Sequence, residues 1–128
     1  MNTIRQFLLI AAFLGFRGVA LGAFGTHGLE STLVENGRED TCQTASECHM
    51  YHALALLAVA WMASLERFPA KFVRWSGILL TIGALIFAGS LYILAIFDLD
   101  FMGAIAPIGG ACLLAGWGLM GYATWMSE

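Results

Sequence analysis

Apolar side chains fill four long runs, 4–24, 48–65, 72–97 and 101–126, and polar side chains collect in the gaps between them. A helix crosses the hydrocarbon layer of a bilayer in roughly 20 residues, so each run is long enough, or almost long enough, to span it. The pattern predicts an all-α, polytopic membrane protein, an antiparallel four-helix transmembrane bundle forming one domain over 1–128 with short second and third turns. The longest polar stretch, 30–47, falls in an external connection over about 28–47. Leu29, Leu33 and Val34 suggest a short amphipathic helix there, and the polar segment 41–47 either belongs to that connection or extends the second span.

Composition supports the membrane class. The chain is 59% hydrophobic and 12% charged, with a mean hydropathy of +0.78, and so few charges would not cover a water-soluble core of this size. The net charge of −3 comes with no basic block, which excludes a nucleic-acid footprint. The start of the chain imitates a cleavable signal, with Arg5 followed by an apolar run and by the small residues Gly22 and Ala23. Arg17 stands inside that run where a signal would carry no charge, so the segment is expected to remain as a membrane anchor.

Basic residues set the expected orientation. Arg5 lies at the first end, and Arg67, Lys71 and Arg74 lie around the second turn, whereas the first connection has only Arg38 and the third turn has Asp98 and Asp100 with no base. Cytoplasmic loops are enriched in Lys and Arg, so both termini are expected in the cytoplasm of a bacterium, with the protein in the inner membrane.

Glycines give the packing signal. Gly15, Gly18, Gly22 and Gly25 recur at intervals of three, four and three along the first span, a smooth face that lets another helix approach closely. Ala84 with Ala88 on the third span, and Ala111, Ala115 and Gly118 on the fourth, are candidate partners. The same stripe can pack between subunits as a homo-oligomer contact.

Arg17 is the one ionisable side chain well inside any run. An arginine in mid-membrane costs from a few to over about 10 kcal/mol unless it is paired, hydrated or snorkelling. It lies roughly 10 Å below the outer end of its helix, at about the depth expected for Ser90, Tyr92 and Pro107, and no carboxylate shares that depth. Arg17, His27, His52, Ser90, Tyr92, Pro107, Gly109 and Gly110 are therefore the candidate ligand- or lipid-binding residues, expected to converge in the outer third of the bundle. Helix-breaking Pro107 would expose backbone carbonyls there.

All three histidines, His27, His49 and His52, fall at the same membrane face near Glu30, Glu47 and Cys48. They are weak metal candidates, because their spacing matches no metal signature and histidine also serves as an interfacial residue or a cap. Cys42 and Cys48 lie on the external side, where a disulfide is chemically permitted, and Cys112 reads as packing. No cofactor is specifically indicated.

Four segments together resemble a known family: Gly22-Ala23-Phe24-Gly25-Thr26-His27-Gly28-Leu29, Met50-Tyr51-His52-Ala53-Leu54-Ala55-Leu56-Leu57, Phe87-Ala88-Gly89-Ser90-Leu91-Tyr92, and Ile105-Ala106-Pro107-Ile108-Gly109-Gly110 with Gly116-Trp117. They are similar to the domain of unknown function 423 family, over essentially the whole chain. That family usually has alanine where this chain has Thr26, serine at Ala88, threonine at Ala106 and an aromatic residue at Cys48. His49 is a local feature, whereas His27 and His52 carry the match. The resemblance implies a four-helix inner-membrane protein with no settled activity.

Two functions fit these residues. The first is a nonenzymatic component that binds membrane lipids or a membrane-protein partner through its smooth faces and outer polar site. The second is a small-ligand carrier or redox accessory protein using the external histidine and arginine cluster. Size favours the first, since transporters commonly use repeated halves and a bundle this small encloses little volume.

Overall fold

The structure, a computed structural model, describes residues 2–127, except for the side chain of Thr26. The family departure at Thr26 therefore lies outside the described residues. The chain forms α1 (Thr3–His27), α2 (Glu30–Asn36), α3 (Glu39–Ala63), α4 (Ala70–Phe97) and α5 (Met102–Trp125), with no strand among the described residues. The expected helices at 4–24, 72–97 and 101–126 correspond to α1, α4 and α5 within a few residues.

The second run differs from expectation. α3 begins at Glu39 rather than near 48, because the polar segment 41–47 continues the helix, and the connection shrinks to α2 and its caps. Gly37 ends α2 in the left-handed region at φ 63, which a glycine adopts without steric cost, while the Arg38 amide donates to the Leu33 carbonyl at 2.9 Å.

Three of the four expected spans, α1, α4 and α5, are long and apolar enough to cross a membrane by length and composition. α3 matches them in length, with 25 residues, but is more polar. The strongly polar residues of α3 fall between Glu39 and His52, and two of them, His49 and His52, are buried against neighbouring helices rather than turned toward lipid. Hydropathy therefore understates how completely the interior accommodates this helix.

The order of packing is α1 on α3, α3 on α4, and α4 on α5. α1 and α5 share no packed seam, so the four long helices form an open array rather than a closed ring. Along the first seam a Cβ on Gly18 would sit 3.2 Å from Met50 Cε, one on Gly22 3.2 Å from Ser46 Oγ, and one on Gly25 3.5 Å from Cys42 Sγ. As α1 ascends α3 descends, so the helices are antiparallel. The glycine stripe does pack another helix, but that helix is α3. Gly15 has nothing near it, and Ala111, Ala115 and Gly118, expected as partners, are exposed on α5.

α4 and α5 interlock more tightly. Leu80 fills the space above Gly116, Leu113 the space above Gly83, and Phe87 the space above Gly109. Each large side chain on one helix meets a glycine on the other, in antiparallel register. A Cβ at Gly116 would lie 2.8 Å from Leu80 Cγ, and one at Gly109 would collide with the Phe87 backbone. Ser76 Oγ donates to the Gly116 carbonyl at 2.8 Å inside the same seam. Close backbone approach and interhelical hydrogen bonds are what hold helices together where lipid is as apolar as the side chains.

The end carrying α2 is tied down by polar groups. Asn36 Nδ2 donates to the Ala95 and Ile96 carbonyls at 3.1 and 3.2 Å, satisfying groups that the last turn of α4 leaves free. Arg38 reaches Asp98 at 3.0 Å through Nε and Asp100 through Nη2. The two aspartates, which have no base near them in sequence, thus find one in the first connection.

Replacing Gly109 by leucine forces α4 and α5 apart, so the thermal midpoint of the detergent-solubilised protein should fall by the equivalent of at least ~1–3 kcal/mol. Gly118 faces open space, and leucine there should leave stability unchanged or raise it by up to ~1 kcal/mol through helix propensity. Equal losses at the two positions would show that the seam is not as described.

Candidate functional site

The polar side chains expected to meet in one place are distributed between the interior and the surface. His49 and His52, three apart on α3, turn to different neighbours because α3 is packed between other helices. His52 Nε2 accepts a hydrogen bond from Trp117 Nε1 of α5 at 3.1 Å, and His52 Nδ1 lies 2.7 Å from the Cys48 carbonyl. An indole N–H only donates, so His52 Nε2 is the acceptor and Nδ1 carries the proton toward Cys48. This pair bridges α3 to α5.

His49 turns toward α4, where its Nδ1 stands 3.4 Å from the Tyr92 hydroxyl and the rings meet edge to face at 5.9 Å. It is 5% exposed, and its Nε2 has no hydrogen-bond partner. The ring lies over Gly18 of α1, where a Cβ would stand 3.7 Å from it.

Arg17 lies at the edge of this interior, near enough for its charge to act on His49 and Tyr92. It is exposed on α1, its guanidinium stacks 5.5 Å from the centre of the Phe13 ring, and among the described residues no hydrogen bond or ion pair holds it. Phe13, Arg17 and Phe24 follow at steps of four and seven and share one helix face, with the two rings 58% and 57% exposed. His27 is exposed at the end of α1. Ser90 Oγ donates within its own helix to the Phe87 carbonyl at 2.9 Å. Pro107 is exposed, Gly109 is closed over by Phe87, and Gly110 lies against the Phe87 ring.

Two expectations need correction. Cys42 and Cys48 are free thiols. They sit on one continuous helix, about 9 Å apart along its axis, beyond the span a disulfide bridges. Burial beneath α2 pushes the Cys42 thiol up from its ordinary value. His27, His49 and His52 do not gather either: among the described residues no three His, Cys, Asp or Glu side chains stand together to hold a metal.

Several residues that matter were not singled out in the sequence. Asn36, Ser76 and Trp117 carry interhelical hydrogen bonds. Trp117 was visible as part of the Gly116-Trp117 motif. Arg38 was visible as the lone base of the first connection, opposite a turn containing two unpaired acids.

Long apolar helices held by glycine seams and a few buried hydrogen bonds define an all-α integral membrane protein. The family described as Protein of unknown function (DUF423) matches residues 21–110, and the chain belongs to that family. Its relatives include the UPF0382 inner membrane protein YgdD of Escherichia coli (strain K12), 42% identical over 120 residues, covering 92% of this chain and 88% of that protein. The UPF0382 membrane protein SH2409 of Staphylococcus haemolyticus (strain JCSC1435) is 37% identical, covering 89% of this chain and 90% of that one. The UPF0382 membrane protein YwdK of Bacillus subtilis (strain 168) is 36% identical, covering 89% and 91%. No solved structure matches.

If the Trp117 to His52 bond fixes α5 against α3, Trp117→Phe and His52→Phe should each lower unfolding stability in detergent. The double variant should lose less than the sum, by about 0.6 and at most about 1.7 kcal/mol. Strict additivity would mean the bond contributes nothing.

Proposed function

We propose that this protein is a nonenzymatic lipid-binding component of the bacterial inner membrane, and that it crosses the bilayer four times with both termini in the cytoplasm. The observation that carries the reading is Arg17: a guanidinium on the outward face of a membrane helix, with an aromatic ring for support and no counter-charge in its own chain. Such a group needs an anion, and in the outer leaflet the available anion is a lipid phosphate. Arg17 lies about 10 Å below Phe24 along the helix; its guanidinium rests on Phe13, one turn nearer the N-terminus, and a change of rotamer would carry this long side chain toward the outer headgroups. Phe13 and Phe24 flank it below and above, as walls for the acyl region. His52 and Trp117 are supported as structural by the hydrogen bond between them, and Ser76 by its bond to the Gly116 carbonyl.

Four crossings are supported by α3, which runs antiparallel between α1 and α4 over a similar length. Cytoplasmic termini are supported by Arg5, Arg67, Lys71 and Arg74 at one end of the array, against Asp98 and Asp100 at the other. Reporter fusions after Trp125 and at Gly37 should report opposite sides, and a periplasmic signal from the C-terminal fusion would overturn the orientation.

Arg17→Leu should fold and keep its thermal midpoint while losing one lipid seen by native mass spectrometry of gently extracted protein, with Arg17→Lys retaining part of it. Unchanged lipid retention in Arg17→Leu, or collapse of the fold, would contradict a lipid seat at this position.

A further inference from the structure

At the end of the array where the chain begins, two cavities join. One is a bowl of about 1000 Å³ with a mixed lining, in which Asn2, Thr3, Glu66, Lys71 and Arg74 stand among apolar residues such as Phe68. The other is an apolar groove of about 380 Å³ between α1 and α4, lined by Phe7, Leu9, Ile10, Ile78, Thr81 and Ile82. Arg74 and Ile78 belong to both, so the bowl opens into the groove. The groove exists because α1 rides on α3 and touches α4 only sparsely, chiefly where Phe7 sits on Gly77.

Among the described residues the positive charge of the bowl is not paired. Lys71 and Arg74 form no ion pair among the described residues, and the one acid in the lining is Glu66. α1 and α4 both start here, with parallel axes, and neither has an acidic residue in its first turn. Both helix dipoles therefore add positive potential to that of the two basic side chains. Thr81 adds no polar demand of its own, because its hydroxyl donates to the Gly77 carbonyl at 2.7 Å, which leaves Gln6 and Arg74 as the polar side chains of the groove.

A basic bowl at a membrane face, continuous with an apolar groove running into the hydrocarbon, has the two-part chemistry of a phospholipid. We propose that this groove is a seat for one anionic phospholipid, its phosphate held by Arg74 and Lys71 and one acyl chain lying between α1 and α4 along Ile10, Ile78 and Ile82. Zwitterionic lipid fills the groove equally well but gains less from the bowl, since each basic residue near the surface favours a net negative headgroup. This seat is at the opposite end of the array from Asp98 and Asp100, and it does not depend on Arg17.

The test uses full-length protein exchanged into detergent, native mass spectrometry, and added dioleoyl phosphatidylglycerol or dioleoyl phosphatidylcholine. The wild type should retain one phosphatidylglycerol in preference to phosphatidylcholine by about tenfold. Lys71→Gln with Arg74→Gln should abolish that preference, and Ile78→Trp, which fills the groove, should reduce retention of both lipids. Ile82→Trp at the exposed rim serves the same purpose should Ile78→Trp fail to fold. The comparison is repeated in an Arg17→Leu background, so that lipid held at the outer seat is not counted. Equal retention of the two lipids in that background, or an unchanged preference when Lys71→Gln and Arg74→Gln are added to it, would overturn the proposal. Displacement of phosphatidylglycerol by millimolar inorganic phosphate would overturn it too, by assigning the bowl to a free anion.

Discussion

The close approach of α4 and α5 is the constraint on which the other contacts rest. In hydrocarbon there is no hydrophobic gain in bringing two helices together, so association depends on how near their backbones come and which polar groups meet across the gap. Leu80, Leu113 and Phe87 each drop into a space left by a glycine on the facing helix, and Ser76 bonds to the Gly116 carbonyl between them. This pairing presents a fixed α4 surface to α3, with Leu80 fully buried in the core beside Leu56 and Val59. α1 then attaches to α3 through its own glycines. Each helix is positioned by the one before it, and nothing closes the array from α5 back to α1.

Two kinds of polar side chain result from that order. Those on α3 are enclosed and bonded to neighbours, His52 to Trp117 most clearly, and they set register. Those at the edges of α1 and α4 form no ion pair among the described residues, Arg17 in the outer half and Lys71 with Arg74 at the other end. A protein whose cations face the bilayer, while most of its interior polar groups, His49 Nε2 excepted, are hydrogen-bonded within the bundle, is suited to engage lipid at its surface. Its interior gives no observation favouring a carrier or redox role.

Much of this was legible in the sequence. The apolar runs located α1, α4 and α5 because a membrane span is specified by length and composition. The glycine intervals on α1 correctly announced a helix contact, though not the partner, since Gly18 and Gly22 pack on Met50 and Ser46 of a helix that looks polar. The α4 and α5 seam was hidden because its glycines matter only in combination with large residues far away in sequence. His49 and His52 look like a pair in one dimension, yet a helix enclosed by two neighbours turns them toward Tyr92 and Trp117 respectively. The tie from Asn36 and Arg38 to the end of α4 spans about sixty residues, and no local pattern encodes such a distance.

The open array is the claim from which both lipid-facing sites follow, and oxidative cross-linking tests it most directly. In a background with Cys42, Cys48 and Cys112 replaced by serine, cysteines at Gly22 and Ser46 should cross-link readily, because the two backbones approach closely there. Cysteines at Gly15 and Gly118, both in open space, should not cross-link within one chain. Efficient intramolecular coupling of Gly15→Cys with Gly118→Cys would mean that α1 closes onto α5, and the open array would be wrong.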